Sequence, residues 1–166
     1  MSEKFTGSFT QQESIPEEAI EAAIAVMRHG RLHRYNVAQG ELGETALLEQ
    51  EFASQMGARF CLAVASGGYA LATALRAVGV KPGDPVLTNA FTLAPVPGAI
   101  ASVGAQPVFV GVTDALTIDL DDLALKAGQA RVLMLSHMRG HLCDMDRLMQ
   151  ICDSAGVIVI EDCAHT

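Results

Sequence analysis

Three features of the 166-residue chain predict an α/β fold, a three-layer, mainly parallel sheet with helices on both faces. Short continuous apolar runs, as at 107–110 and 157–160, recur between stretches of helical periodicity. Turns rich in glycine, proline or aspartate separate them. Half of the residues are hydrophobic, enough for one well-buried core. Strands buried on both sides read as unbroken apolar runs, and their alternation with helices implies parallel pairing.

Positions 1–13 are polar and are expected to form a flexible lead-in. Ser14 then supplies a cap, Glu17 and Glu18 suit the positive end of a helix, and Ile20, Ala23, Ile24 and Met27 share one face until Gly30. Positions 30–43 read as a surface loop carrying Arg31, His33, Arg34 and Tyr35. Leu47, Leu48, Phe52 and Met56 make a second apolar helical face, closed by Gly57. The run Phe60-Cys61-Leu62-Ala63-Val64-Ala65 predicts a strand, Ser66-Gly67-Gly68 a glycine turn, and 69–78 a helix. Further strands are expected at 85–88, 107–110, 131–135 and 157–160, with helices at 94–103, 119–126 and 144–155. The last strand runs into Glu161-Asp162. These elements read as one domain over 1–166, and the end of the sequence, directly behind a buried strand, is expected to be a truncation.

A formal net charge of −8 argues against a nucleic-acid partner, because a phosphate backbone would be repelled. Charged residues, proline or glycine interrupt every apolar run, so no membrane span is predicted. The polar start lacks the apolar core of a secretory signal, which predicts a cytoplasmic protein. The four cysteines, Cys61, Cys143, Cys152 and Cys163, show no paired spacing and are expected to be reduced and buried. His137, His141 and Cys143 lie close in sequence, but no repeated ligand pair accompanies them and no metal centre is predicted.

In an open parallel sheet, ligands bind beyond the carboxyl ends of the strands. Four such ends carry candidates. Ser66-Gly67-Gly68 could bring backbone amides to an anion at a helix start, although such turns are common without a ligand. Asp162 emerges from an apolar strand where an ionised acid needs a cationic partner such as a protonated pyridine nitrogen. A helix cap or a structural hydrogen bond to a neighbouring loop is its alternative role. Glu161 points to the opposite face and reads as structural. His165 could donate to a ring oxygen or be a satisfied structural histidine, and His137 reads as structural. Arg34 and Arg139 are either anion clamps or solvated side chains.

Taken in order, several segments resemble the DegT/DnrJ/EryC1/StrS aminotransferases. They are Leu48-Glu49-Gln50-Glu51-Phe52-Ala53, Ala65-Ser66-Gly67-Gly68-Tyr69-Ala70-Leu71, Thr88-Asn89-Ala90-Phe91-Thr92, Gly104 to Val110, Asp144-Met145-Asp146, and Val159-Ile160-Glu161-Asp162-Cys163-Ala164-His165. The resemblance covers about 34–166. It implies the pyridoxal 5'-phosphate-binding large domain of a fold-type-I enzyme, incomplete and without its small domain. It further implies transfer of an amino group from glutamate or glutamine to a nucleotide-linked keto sugar by a homodimer.

Carried across by position, Asp162 would pair with the cofactor's ring nitrogen and His165, at the family's glutamine position, would meet the ring's hydroxyl side. Gly67, Gly68 and Tyr69 would meet the phosphate. Gly68 and Tyr69 replace a hydroxyl residue and a small residue of the relatives, and Leu93 replaces an aromatic ring that stacks on the cofactor. The Schiff-base lysine would lie beyond Thr166, since none of Lys4, Lys81 and Lys126 suits that role. The chain alone is therefore expected to be inactive. A non-catalytic partner subunit and a sugar dehydratase of the same family are alternatives; a nucleotide-binding dehydrogenase domain lacks its glycine fingerprint.

Overall fold

The computed structural model describes residues 6–8 and 12–166, so most of the expected lead-in at 1–13, with Lys4, lies outside the described residues. The periodicity of Ile20, Ala23, Ile24 and Met27 is realised in helix α1 (Glu17–His29), which closes on Gly30 at φ 70°. Only glycine adopts that left-handed conformation without a steric cost. Pro16, not Ser14, occupies the capping position, and no side chain caps this helix. Helix α2 (Glu44–Gln55) ends at Met56 before Gly57. Neither helix contains a buried residue.

The chain divides into two compact units, one ending at Ala63 and one spanning Val64–Thr166. Within the first, Glu49 on α2 accepts a hydrogen bond from the Ala63 amide at 2.7 Å and forms an ion pair with Arg34. Arg34 thus clamps a carboxylate of its own chain. Arg31 pairs with Glu41 at 2.9 Å, and His33 stacks on Tyr35.

The strand expected at 60–65 does not form. Phe60 is 78% and Leu62 56% exposed, and no neighbouring strand among the described residues pairs with this segment. An apolar run becomes a strand only where a ladder takes up its amides and carbonyls.

In the second unit, Gly67 and Gly68 do not make a turn. They are the first two residues of helix α3 (Gly67–Ala77), capped by Ser66, whose Oγ accepts from the Tyr69 amide at 3.3 Å. Next come strand β1 (Pro85–Asn89), helix α4 (Pro95–Ser102), strand β2 (Gln106–Val110), helix α5 (Leu120–Lys126), strand β3 (Val132–Ser136), helix α6 (Met145–Ala155) and strand β4 (Ile158–Asp162). Pro95 and Pro97 fall in the first turn of α4, where a missing N–H costs nothing. Asp119 caps α5 and Asp144 caps α6.

All four strands are parallel, in the order β2-β1-β3-β4. Alternate strand residues face opposite layers. Val86, Val132, Met134 and Ile160 pack with Leu71 and Leu75 of α3 and Val96 and Ile100 of α4. Leu87, Val110, Leu133, Leu135 and Val159 pack with Leu123 of α5 and with Leu148 and Cys152 of α6. With a layer on each side, all five residues of β3 are buried. The three-layer α/β architecture with helices on both faces is therefore present.

Other departures from the sequence reading are local. Val112 and Ile118 form an isolated antiparallel bridge around Leu116 at φ 61°. Residues 127–129 and 138–140 form single helical turns. Of the four cysteines, all free, only Cys152 is buried; Cys61 and Cys143 are half-buried and Cys163 is exposed. Cys163 sits past the end of β4. No helix among the described residues is long and apolar enough to cross a membrane.

Candidate functional site

The chain enters β1 only eight residues after α3 ends, so the amino terminus of α3 lies toward the carboxyl end of the sheet. An 11-residue helix and a five-residue strand have nearly the same length, about 16 Å each, which completes that placement. Gly67, Gly68 and Asp162 therefore occupy one end of the sheet. They also share its α3 and α4 face, because Asp162 has the same strand parity as Ile160.

The carboxyl ends of β1, β3 and β4 are tied together by side chains. Asn89, 1% exposed, completes β1. Its Nδ2 donates to the carbonyls of Phe91 at 2.8 Å and Ser136 at 3.1 Å, and its Oδ1 accepts from the Ser136 amide at 2.9 Å. The amide side chain thus prolongs the ladder by one step and fixes Ser136. Ser136 and Asp162 are register partners, and Ser136 Oγ donates to Asp162 Oδ2 at 3.1 Å. The second carboxylate oxygen, Oδ1, accepts from the Ala164 amide at 3.3 Å.

Asp162 is thereby held at both oxygens while remaining only half-buried. Each carboxylate oxygen offers two lone pairs, so acceptor capacity is left for a cationic ring nitrogen. Among the described residues no helix begins at Asp162, and its bonds to Ser136 and Ala164 are structural hydrogen bonds to the neighbouring strand and turn.

Gly67 and Gly68 leave open space, with no heavy atom within 4 Å of a Cβ built at either position. Their amides are the first two of α3 and have no acceptor within the helix. The amide of Tyr69 is already taken by Ser66, which leaves its exposed phenol. Leu93, 46% exposed, lies in the loop between β1 and α4. Two buried hydroxyls near the end of β1, Thr88 Oγ1 and Thr92 Oγ1, lack partners among the described residues. Open anion-seeking amides, an oriented carboxylate and unpaired hydroxyls suit a phosphorylated pyridine ring.

His165 accepts a hydrogen bond from the Arg139 amide at its Nδ1, 3.1 Å away. His137 is 3% exposed; its amide donates to the Asp162 carbonyl at 3.1 Å and its Nε2 lies 2.8 Å from Glu161 Oε2. These contacts join β3 and β4 on the face opposite Asp162. Lys81 lies in the turn before β1, and Lys126 is engaged by Asp122 at 2.7 Å and by the Phe109 carbonyl at 2.9 Å. Neither stands at the site.

His141 and Cys143 do not join His137 in a metal-binding group. Among the described residues, the group with ligand atoms close together is His137, Glu161 and Cys163, all within 4.8 Å of one another. Two of those three, His137 and Glu161, are already bonded to each other. Asn89 stands in the sequence only as part of the segment 88–92 that carries the resemblance, and neither it nor Ser136 was given a role there.

A parallel sheet with helices on both faces and an oriented acid at its carboxyl end makes this a three-layer α/β domain. The model of the DegT/DnrJ/EryC1/StrS aminotransferase family matches residues 13–166, and the chain belongs to that family. It is 34% identical over 160 residues to UDP-2-acetamido-2-deoxy-3-oxo-D-glucuronate aminotransferase of Pseudomonas aeruginosa, covering 93% of this chain and 42% of that protein. It is 37% identical over 120 residues to spore coat polysaccharide biosynthesis protein SpsC of Bacillus subtilis, covering 70% of this chain and 31% of that one. The crystal structure of 3-amino-5-hydroxybenzoic acid synthase superposes with a TM-score of 0.82 at 31% identity, covering 96% of this chain and 41% of the other. The chain thus spans well under half the length of these relatives.

Proposed function

We propose that this chain is the cofactor-holding part of a pyridoxal-phosphate-dependent aminotransferase that acts on a nucleotide-linked keto sugar, with glutamate or glutamine as amino donor. The observation that carries this reading is the carboxylate of Asp162, held at both oxygens on the face of the sheet where α3 begins. When bound, the cofactor supplies the electron sink through which an amino group moves.

The chain's own residues supply placement and charge. Asp162 holds the proton on the ring nitrogen, and Ser136 and Ala164 keep that carboxylate from turning away. Gly67 and Gly68 present amides to the phosphate at the positive end of α3, and Tyr69 adds a phenol. Leu93 covers the ring as an apolar surface in place of an aromatic one, with weaker dispersion contact. His165 meets the ring's hydroxyl side. The amine that links the cofactor covalently comes from neither Lys81 nor Lys126. A homodimer is the assembly this reading takes from the resemblance.

Titration of the protein with pyridoxal phosphate, followed by visible absorption and by quenching of tyrosine fluorescence, tests the proposal. Saturable binding that Asp162→Ala weakens at least tenfold is expected. Binding of equal strength in that variant, or none in the parent protein, overturns it.

A further inference from the structure

Arg139 is one of two non-glycine residues with positive φ among the described residues, at φ 58° and ψ 24°. That conformation is costly for a side chain with a Cβ and is kept only where surrounding contacts impose it. Two contacts converge here on one residue. The Arg139 amide donates to His165 Nδ1 at 3.1 Å, and the next residue, Gly140 at φ 75°, would place a Cβ 3.0 Å from the His165 carbonyl oxygen.

The turn that makes them is itself braced. Gly140 donates to the His137 carbonyl at 3.0 Å, and the His137 amide donates to the Asp162 carbonyl at 3.1 Å. From the other side, Asp162 Oδ1 holds Ala164, and Thr166 donates to the Cys163 carbonyl at 3.2 Å. His165, exposed in the turn after β4, is thus held against the turn after β3, three residues beyond Asp162.

An amide N–H can only donate, so the Nδ1 that faces it must present a lone pair. In a neutral imidazole the proton then resides on Nε2. We infer that the Arg139 amide fixes His165 as its Nε2–H tautomer, making its outer nitrogen a dedicated hydrogen-bond donor, with Arg139 and Gly140 as positioning residues. This rests on the reading that His165 meets the hydroxyl side of the cofactor ring. A glutamine, which the resemblance places at this position, also carries one acceptor and one donor end. His165 in this tautomer offers the same pair, whereas the other tautomer would set two N–H groups against each other at the Arg139 contact. The histidine therefore replaces the amide without reversing any hydrogen bond.

The test begins without cofactor. Long-range proton–nitrogen NMR of the protein carrying 15N-labelled histidine separates the tautomers, and His165→Gln assigns the signals. A protonated Nε2 and an unprotonated Nδ1 are expected for His165, as for His29, whose Nδ1 accepts from the Arg31 amide at 3.1 Å. His141, whose ring has no partner among the described residues, is the averaged reference. An averaged or Nδ1–H pattern at His165 overturns the inference. Gly140→Ala is expected to release His165 toward averaging.

A pyridoxal phosphate titration supplies the second arm. His165→Gln is expected to bind within about twofold of the parent protein, and His165→Phe roughly fivefold more weakly, the effect of one lost hydrogen bond. Equal binding by all three overturns the donor role. A fixed tautomer in a protein that binds no cofactor sinks the proposed function and leaves the hold on His165 standing.

Discussion

Ser136 and Asp162 face each other across β3 and β4, and the hydroxyl of one donates to Oδ2 of the other at 3.1 Å. The bond exists because register partners in parallel strands point to the same face, here toward α3 and α4. Ser136→Ala removes the donor and adds no bulk. Cofactor affinity is expected to fall about fivefold, the effect of one hydrogen bond near 1 kcal/mol, while the unfolding midpoint changes little. Fluorescence titration beside urea denaturation measures both, and an unchanged affinity would show that Asp162 orients without help from Ser136.

Asn89 is expected to matter for folding rather than affinity. It is 1% exposed and serves three backbone groups, so Asn89→Ala strands the amide and carbonyl of Ser136 inside the protein. Leaving buried groups unpaired costs about 1–3 kcal/mol each, and a destabilisation of about 3 kcal/mol is expected from urea unfolding. A loss below about 1 kcal/mol would mean that water takes over these bonds.

The layered fold was legible because its signal is redundant. Buried strands such as β3 read as nearly unbroken apolar runs, and capped helices such as α6 announce their starts with Asp144 and their ends with Gly156. Asp162 was legible as an acid ending such a strand. The failure at 60–65 has the opposite cause: hydrophobicity marks a segment that can pair, while pairing depends on a neighbouring strand that local sequence does not name. The bonding roles of Asn89 and Ser136 went unread because cross-strand contacts join residues 47 apart. The left-handed turn at Arg139 was equally hidden, since arginine carries no preference for it.

Two carboxylates make stability depend on pH in the acid range. The Ala63 amide, aided by Arg34, holds Glu49 below its ordinary value of 4.5, and the Gly111 amide, aided by Lys126, holds Asp122 below 3.8. A depressed folded value means that the stabilisation is present above the unfolded value and is lost as pH falls through the folded one. Urea midpoints should therefore drop as pH falls below about 4.5. Glu49→Gln keeps an acceptor for the Ala63 amide and removes only the charge, as Asp122→Asn does at Gly111. Each variant should flatten part of the acid limb, and a limb of unchanged steepness in both would assign the dependence to other groups.

Gly68 offers a gain-of-function test of the phosphate cradle. It is the second residue of α3, and a Cβ there meets no heavy atom within 4 Å, so a side chain can enter without displacing anything. Glycine is also among the weakest helix formers, which makes Gly68→Thr neutral or slightly stabilising, by at most about 0.5 kcal/mol. The threonine hydroxyl restores the donor that the resemblance places at this position, next to the free amides of Gly67 and residue 68. Affinity for pyridoxal phosphate should rise several-fold, a charge-assisted hydrogen bond being stronger than a neutral one. Affinity for pyridoxal, which lacks the phosphate, should stay as it was. Comparing the two ligands isolates the phosphate contribution, and a ratio unchanged by the substitution would remove α3 from the anion site.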